Sequence, residues 1–377
     1  MRKREVPKVT TNHNKIHEPL VRMAKRDAMS WKKAWLIRGA AILGALLFSA
    51  IVTVLLTGQN PIKIYSTMFA GAFGTPRRVW LLLQNIAMLL CISLAVTPAF
   101  KMRFWNIGAE GQVLIGGLAT AACMILIGDS VPAPLLYLFM VLSAIAAGAI
   151  WALIPAICKA KWGTNETLFT LMMNYVAMQI IEFFIVKWEV PKGSGTIGII
   201  NQNSLVGWLP SIGGNQYLLN IIIVFLLCLI MYVYLKYSKQ GYEISVVGES
   251  ENTARYVGIN VKKVIIRTMI LSGAVCGIAG FLLVGGTNHT IATTTADGRG
   301  FTAIMVSWLA KFNPLFMIFT SFLLVFLERG SGEIATVFRL NQAFADIISG
   351  IILFFIIGSE FFINYKLIFR GSHKEVK

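Results

Sequence analysis

The chain has 377 residues, of which 56% are hydrophobic and only 14% are charged. Soluble domains carry roughly a quarter charged residues, so this composition excludes an ordinary soluble protein and indicates an integral membrane protein. The formal net charge of +17 would also suit a protein that binds nucleic acid. Membrane topology and attraction to anionic lipid explain that charge better, and we expect no nucleic-acid partner.

The first 38 residues carry eleven Lys and Arg residues against three acidic residues. Lys and Arg collect on the cytoplasmic side of membrane proteins, where anionic lipids attract them. We therefore predict that residues 1–35 form a basic cytoplasmic segment in contact with the lipid bilayer. This region is too long for a cleaved signal and no small-residue cleavage site follows it, so we expect the first apolar run to remain as a span.

Apolar runs long enough to cross a hydrocarbon core of about 30 Å follow along the chain. They lie near residues 39–57, 79–100, 106–127, 133–158, 168–187, 217–235, 264–285 and 343–363. Segment 301–327 is interrupted by Asn313-Pro314, and because proline removes a backbone donor we expect two helices, 301–311 and 314–327. The predicted fold class is all-α: a polytopic transmembrane helical bundle with about nine or ten membrane segments.

The distribution of Lys and Arg sets the orientation of this bundle. A count of ten crossings places both termini in the cytoplasm, together with nearly every basic cluster between them. The clusters that fall inside are Lys101 with Arg103, Lys159 with Lys161, the loop 236–267, and Lys311. We predict a membrane domain over residues 36–366 and a basic cytoplasmic tail, residues 367–377, in a plasma membrane of bacterial type.

Three cations do not fit this orientation, namely Lys63, Arg77 and Arg78, which fall in an external loop. An interfacial segment at residues 60–75 would account for part of the loop. Its Tyr65, Phe69 and Phe73 share one helical face.

Polar residues stand beside glycines in the stretch Asn106–Gly117, where a membrane span begins. Glu110 lies in the first helical turn, where the helix dipole favours a carboxylate, and Asn106 at i−4 can reach it. One interpretation is a capping cluster at the start of the helix. The other is that Asn106, Glu110 and Gln112 line a translocation cavity, because ionisable groups at membrane depth usually face a bundle interior.

A second polar cluster opens the span in the stretch Trp162–Tyr175. Thr164 or Asn165 is expected to cap the helix, with Glu166 in its first turn. Thr167, Thr170 and Asn174 follow at steps of three and four, so they share one face. This face is either an interhelical hydrogen-bond stripe or a surface in contact with a polar solute.

The hydrophilic stretch Gly241–Asn260 separates two apolar runs, and its residues predict a short capped helix. Ser250 is a good N-cap, Glu251 suits the first turn, and Gly258 stands where the residue after the helix takes a positive φ. About seven residues, or two turns, remain between these caps. So short a helix is marginal alone in water, so neighbouring spans or the cleft of a partner protein must hold it.

Other features of the apolar runs predict packing rather than chemistry. Gly273, Gly277 and Gly280 recur at steps of four and three, a spacing that lets helix backbones approach closely. The five cysteines lie in apolar runs without close pairs, so we expect neither disulfides nor metal ligands.

Motifs for catalysis and energy supply are absent from the sequence. No GxxxxGK[ST] phosphate loop occurs, and the four histidines lie in tails or a loop, away from any metal site or catalytic triad. No relay of buried acids, histidines or lysines of the kind used by ion-coupled carriers is evident. We therefore predict no catalytic residues, no cofactor and no metal, with energy arriving through contact at the 241–260 loop.

Three separated segments, Asn106–Gly117, Gly163–Tyr175 and Ala254–Ile259, carry a family resemblance. They resemble the permease subunits of ATP-binding-cassette importers, in the branched-chain amino acid, ribose and nucleoside group, over roughly residues 40–365. Asn165-Glu166, Asn174-Tyr175 and Leu209-Pro210 are most similar to the nucleoside permeases that work with a basic-membrane-protein type lipoprotein.

The resemblance implies a permease without its own ATPase, working with a second permease chain, cytoplasmic ATP-binding-cassette ATPase subunits and an extracytoplasmic substrate-binding lipoprotein. It implies that Glu249–Gly258 is the helix seated in the ATPase cleft. The coupling residues are then Glu249, Ser250, Ala254, Arg255 and Gly258. The candidates for the solute pathway are Asn106, Glu110, Gln112, Asn165, Thr170 and Asn174.

The sequence departs from this family between Arg299 and Pro314. There it carries Met305, Ser307, Trp308 and Ala310 where the family usually has small residues and a glycine. Nucleosides are the solute that the resemblance favours, with a sugar or a branched-chain amino acid as the alternative. An ion-coupled carrier would have no need for a two-turn cytoplasmic helix, and a membrane-embedded enzyme would need catalytic clusters that the chain lacks.

Overall fold

The computed structural model describes residues 21–26 and 30–369. This part of the chain contains thirteen α-helices and one two-stranded antiparallel ribbon. The helices are α1 (Trp31–Thr57), α2 (Pro61–Phe73), α3 (Pro76–Lys101), α4 (Ala109–Leu126), α5 (Ala133–Trp162), α6 (Glu166–Trp188), α7 (Leu218–Tyr237), α8 (Lys239–Glu249), α9 (Glu251–Tyr256), α10 (Val261–Leu283), α11 (Arg299–Leu309), α12 (Pro314–Phe338) and α13 (Gln342–Asn364). The strands are β1 (Val21–Lys25) and β2 (Tyr365–Phe369).

Nine helices in the described ranges are long and apolar enough to cross a membrane. Each of the eight predicted apolar runs coincides with one of them, and α12 is the ninth, which confirms the prediction of a polytopic transmembrane helical bundle. Two features were not predicted. The helix α1 begins at Trp31, within the predicted basic segment 1–35, although its apolar span is Leu36–Thr57, and the β1–β2 ribbon pairs residues 21–25 with residues 365–369.

The helix α11 is too short to be one of the nine, but it follows the direction of α3. Arg299 at its start donates from Nη2 to Asn85 Oδ1 at 3.0 Å, and Ser307 near its end donates from Oγ to the Ser93 carbonyl at 3.1 Å. From the first contact to the second, the residue numbers increase along both helices, so α11 and α3 run parallel. The segment 289–309 therefore crosses beside α3, which agrees with the predicted count of ten crossings.

The helix α12 begins at Asn313-Pro314, as predicted, with the Asn313 side chain accepting from the Leu315 amide at 3.1 Å. It runs antiparallel to α3, because Met317 lies against Thr97 near the inner end of α3 and Glu333 lies at the outer end. The break at the proline thus produces a turn between two oppositely directed segments. It brings Lys311 to the same end of the bundle as Lys101, which we assign to the cytoplasm.

One of the two external arginines is accounted for by this packing. Arg78 Nη2 lies 2.8 Å from Glu333 Oε1, and its Nη1 donates to the Ala70 carbonyl at 3.0 Å. These contacts join α2, α3 and α12 at their outer ends. Arg78 is therefore a packing residue, and its position is compatible with the orientation set by the other basic residues.

The helix α10 contacts α4 and α5 through backbone rather than through large side chains. A Cβ atom on Gly277 would overlap the Ala144 carbonyl of α5, and one on Gly273 would overlap the Gly148 carbonyl. The predicted close approach of helix backbones at the 273–280 glycines is confirmed by these contacts. At its outer end α10 continues into a π-helical segment, Val284–Asn288.

Contacts divide the chain into two compact units, residues 64–342 and residues 1–63 with 343–377. In the second of these units α1 and α13 are antiparallel, because Arg38 pairs with Glu360 at 2.6 Å and the Phe48 ring lies 6.0 Å from that of Phe355. The start of α1 and the end of α13 therefore lie at one end. Most of the predicted basic segments 1–35 and 367–377 lies outside the described residues.

The close contact between α5 and α10 predicts a strong size limit at Gly277. We expect Gly277→Val to prevent assembly of the bundle, since the new side chain meets backbone atoms that cannot rotate away. The matched control is Gly332→Val in α12, where an added Cβ would meet nothing within 4 Å. The yield of monodisperse protein after detergent extraction measures the effect, and equal yields for both variants would contradict the close-contact interpretation.

Candidate functional site

Residues 102–108 join α3 to α4 without regular structure, and we call them the elbow. The elbow begins at the cytoplasmic end of α3, and its later residues lie at the depth of the α10 span, because Asn106 contacts Ser272 within that span. Irregular backbone at that depth requires polar partners from the protein. Side chains of α6 supply them: Thr170 Oγ1 accepts from the Ile107 amide at 3.1 Å, and Asn174 Nδ2 donates to the Ile107 carbonyl at 2.9 Å.

Asn174 also fixes the first turn of α4. Its Oδ1 accepts from the Gly111 amide at 2.8 Å, so both ends of the amide group are used within the chain. Thr170 and Asn174 are both buried. The predicted shared face of α6 is therefore a stripe of interhelical hydrogen bonds in the described chain, and a role for it in contacting solute stays a prediction.

Asn106 and Gln112 form a second buried pair beside the elbow. Gln112 Nε2 donates to Asn106 Oδ1 at 3.1 Å, and Asn106 Nδ2 donates to Ser272 Oγ at 3.1 Å. The expected contact of Asn106 with Glu110 does not occur. The i−4 spacing applies only within a helix, and Asn106 stands in the elbow, before α4 begins at Ala109.

Glu110 instead binds the start of α11. Its Oε1 accepts from the Gly298 amide at 2.8 Å and its Oε2 accepts from the Gly300 amide at 2.7 Å. Glu110 is only 3% exposed and lies in the first turn of α4. One carboxylate thus meets the N-terminal ends of two helices, where unpaired amides and the helix dipoles both favour negative charge.

Arg299 and Asp297 flank this contact and were not among the predicted site residues. Arg299 binds Asn85 and lies 3.6 Å from Asp297, whose side chain is largely exposed. The sequence signal was the Asp-Gly-Arg-Gly stretch, an acid and a base close to apolar runs, which commonly marks a functional position. Periodicity could not reveal it, because residues 289–298 are irregular.

Asn165 stands apart from the other five predicted pathway residues. It caps α6 by accepting from the Leu168 amide at 3.2 Å, as predicted, and its side chain is exposed. A groove of about 480 Å³ begins there and follows the outer face of α6. Its lining residues are Thr164, Asn165, Leu168, Phe169, Met172, Met173 and Val176.

The short capped helix of the cytoplasmic stretch is confirmed as α9. Ser250 Oγ accepts from the Thr253 amide at 3.2 Å, Glu251 pairs with Arg255 at 3.1 Å, and Gly258 has a φ of +82°. A second helix, α8, was not predicted and ends at Glu249, directly before the cap. The sequence of α8 does not indicate a helix, because it is short and contains glycines. Contacts with the membrane spans stabilise this helix.

The pair α8–α9 is attached to the elbow by an apolar cluster. Ala254 of α9 and Ile244 of α8 are fully buried there together with Met102 and Phe104 of the elbow. Gly248 lies so close to the Lys101 carbonyl that a Cβ atom would overlap it. By contrast, Tyr256 on the outer side of α9 is 93% exposed. One face of α9 thus contacts the elbow while the opposite face is open.

The described residues contain no group of three or more His, Cys, Asp or Glu side chains that could hold a metal ion. The interior polar groups reported above are amides, hydroxyls and one carboxylate bound to backbone. Such an arrangement fixes helices against one another.

Comparison with known proteins identifies the family. Residues 78–357 match the model of the permease component of the branched-chain amino acid transport system. The chain is 31% identical over 339 residues to the guanosine ABC transporter permease protein of Bacillus subtilis, covering 89% of this chain and 96% of that protein. It is 28% identical over 347 residues to the glucose ABC transporter permease protein of Haloferax volcanii, covering 89% and 90%.

A nucleoside ABC transporter permease protein of Lactococcus lactis is 28% identical over 301 residues, which cover 77% of this chain and 82% of that protein. The chain belongs to this permease family. The permease is a multi-pass plasma-membrane subunit of an ATP-binding-cassette transporter, as the resemblance implied. Transporters of this kind combine such a subunit with an ATPase and a binding protein.

The Glu110 contact predicts a graded loss of stability. Loss of a helix cap costs about 0.5–2 kcal/mol, and hydrogen bonds to a charged group are worth about 1.5–3 kcal/mol. We expect Glu110→Ala to lower the unfolding temperature of the purified permease and to reduce uptake. Glu110→Gln, which keeps one carbonyl acceptor, should fall between that variant and the wild type.

Glu182, an exposed carboxylate on α6, provides the control. Glu182→Ala should unfold at the temperature of the wild type. An unfolding temperature of Glu110→Ala equal to that of Glu182→Ala would refute the proposed role of the Glu110 carboxylate.

Proposed function

We propose that the permease imports nucleosides. The guanosine and nucleoside permeases among its relatives, and the Asn165-Glu166 and Asn174-Tyr175 motifs, support this solute. The glucose permease relative supports a sugar as the second candidate. A nucleoside differs from a sugar in its flat base, which requires apolar contacts in a binding site. The groove along α6 has a mainly apolar lining, and such a lining suits a base.

The open face of α9 is the proposed contact with the ATPase. The observation that carries this proposal is that α9 is buried on one side and exposed on the other. Ala254 is 0% exposed against the elbow cluster, whereas Tyr256 on the opposite side is 93% exposed. A helix of six residues is not stable by itself, so the buried side holds it in place while the exposed side is available. Exposed aromatic residues commonly anchor such contacts.

The elbow would transmit movement of α9 into the membrane. When the ATPase closes on ATP, a displacement of α8–α9 moves Met102 and Phe104, which share their apolar cluster. The same elbow carries Ile107, held by Thr170 and Asn174 of α6, and leads into α4 with Glu110. Through Glu110 the movement reaches α11. A packed chain of this kind favours a switch between two arrangements over gradual bending.

The solute pathway is proposed to border α6 and the start of α11. At α6, the proposed pathway would border Asn165 and the groove that begins there. At the N-terminal end of α11, it would border the exposed Asp297, which lies beside Arg299. The buried residues Asn106, Glu110, Gln112, Thr170 and Asn174 would then support the pathway walls rather than contact solute. A second permease chain, identical or homologous, and a substrate-binding lipoprotein would complete the transporter.

Uptake measurements test the solute and the energy source together. We expect labelled guanosine uptake by cells expressing the complete transporter to be inhibited by an excess of unlabelled nucleosides and to be unaffected by glucose. Uptake should cease when the ATPase partner carries a substitution in its phosphate loop and should persist when ionophores abolish ion gradients. Uptake of labelled glucose in place of labelled guanosine would replace nucleosides with a sugar, and dependence on an ion gradient would refute the ATPase mechanism.

Gly258 provides a direct test of α9. Its φ of +82° is costly for β-branched residues, by roughly 1–2 kcal/mol or more, whereas Asn tolerates this region. We expect Gly258→Val to lose most ATPase co-purification and uptake while inserting normally in the membrane. Gly258→Asn is the matched control and should retain both. Normal ATPase association by the Val variant would show that α9 geometry is not needed for coupling.

A further inference from the structure

The two neighbouring external arginines of the permease, Arg77 and Arg78, differ in their contacts. Arg78 is held by Glu333 and the Ala70 carbonyl, as described above. Its neighbour Arg77 is exposed, and within the described residues it has no hydrogen-bond or ion-pair partner. Lys and Arg are disfavoured on the external side of a membrane protein, so an unpartnered arginine there needs another explanation.

The position of Arg77 within α3 adds to this cost. Thr75 caps α3 and Pro76 is its first residue, so Arg77 lies in the first turn. The positive end of the helix dipole disfavours a cation at that position, and the first turn contains no acidic residue. Local helix stability therefore gives no reason for Arg77, and an anion near it would be favoured by both the guanidinium and the helix end.

Arg77 lines a polar pocket of about 470 Å³ at the outer end of α3 and α7. The other lining residues are Trp80, Ser211, Gly214, Asn215, Gln216 and Tyr217. No acidic residue is among them, so the pocket presents one positive charge with amides and hydroxyls around it. The turn 211–217 is shaped by a bridge between Ile212 and Asn215 and by the Tyr217 amide donating to Asn215 Oδ1 at 2.8 Å.

We propose that this pocket binds an acidic side chain of the extracytoplasmic substrate-binding protein, so that Arg77 anchors that protein over the outer mouth of the permease. This proposal rests on the proposed function, which supplies the binding protein as a partner. Arginine matches a carboxylate with two parallel hydrogen bonds, and Trp80 and Tyr217 are the residue types that form the centres of protein contacts.

Two other occupants fit less well. Nucleosides and sugars are uncharged, so a solute of the proposed class would form no ion pair with the guanidinium. The phosphate of a lipid headgroup is also an anion, but five of the seven lining residues belong to the loop 211–217, which lies before the apolar span of α7 begins at Leu218. A protein that covers the external loops reaches this pocket more directly than a lipid beside the helices.

Charge reversal at Arg77 tests the proposal. The assay measures the affinity of the permease–ATPase complex, held in phosphatidylcholine nanodiscs, for the purified binding protein that supports its uptake. We expect Arg77→Glu to weaken binding about tenfold and to reduce its dependence on salt, since a charge pair governs encounter and orientation. Arg77→Lys, which keeps the charge, should lose much less.

Lys192→Glu is the matched control, because Lys192 is exposed in an external loop and donates only to the carbonyls of Val186 and Lys187. It should bind as the wild type does, and all variants should retain the ATPase and unfold at the same temperature. In uptake assays Arg77→Glu should raise the KM for the binding protein with kcat unchanged. An acidic-to-basic substitution in the binding protein that restores Arg77→Glu would identify the carboxylate partner.

Several outcomes overturn the proposal. Equal affinity of Arg77→Glu and Lys192→Glu for the binding protein would exclude the pocket as its anchor while leaving the nucleoside importer intact. An effect of Arg77→Glu that appears only in phosphatidylglycerol nanodiscs, without the binding protein, would assign the pocket to a lipid headgroup. ATP-driven uptake by the wild type with no binding protein present would remove the partner itself, and with it both this proposal and that part of the proposed function.

Discussion

The carboxylate of Glu110 joins two helices that otherwise have little reason to meet. It lies in the first turn of α4, and its two oxygens accept from the amides of Gly298 and Gly300 at the start of α11. Loss of either hydrogen bond would be costly, because the Glu110 carboxylate is only 3% exposed and bulk water does not reach it. Because α11 is only a half-length helix, this contact determines where its crossing begins, and Arg299 then fixes its alignment with Asn85 on α3.

The elbow before α4 follows from the same constraint. A chain that interrupts its helix at membrane depth must find a partner for every freed amide and carbonyl. Thr170 accepts from the Ile107 amide and Asn174 accepts from the Gly111 amide. Within the elbow itself, Asn106 accepts from the Gly108 amide. These polar residues, which are candidates for a solute site by sequence, therefore stabilise the irregular backbone of the elbow. Because they are buried, the proposed pathway would be lined instead by exposed groups such as Asn165 and Asp297.

Much of the fold was readable from the sequence because membrane spans and helix caps are local signals. The apolar runs, the break at Asn313-Pro314, and the Ser250 and Asn165 caps all depend on residues close in the chain. The partners of Glu110 lie nearly half the chain away, so no spacing rule could name them. The same applies to α8 and to the β1–β2 ribbon, which exist through contacts with distant segments.

The helix α3 connects the two faces on which partner proteins are proposed to act. Its outer end carries Arg77 in the polar pocket, and its inner end carries Lys101, whose carbonyl contacts Gly248 of α8. Between these ends α3 is almost wholly buried, so it cannot move without moving its neighbours. A binding protein that holds the outer end and an ATPase that displaces the inner one would therefore act on a single packed element. Such an element lets each partner influence the other without any ionisable relay between them.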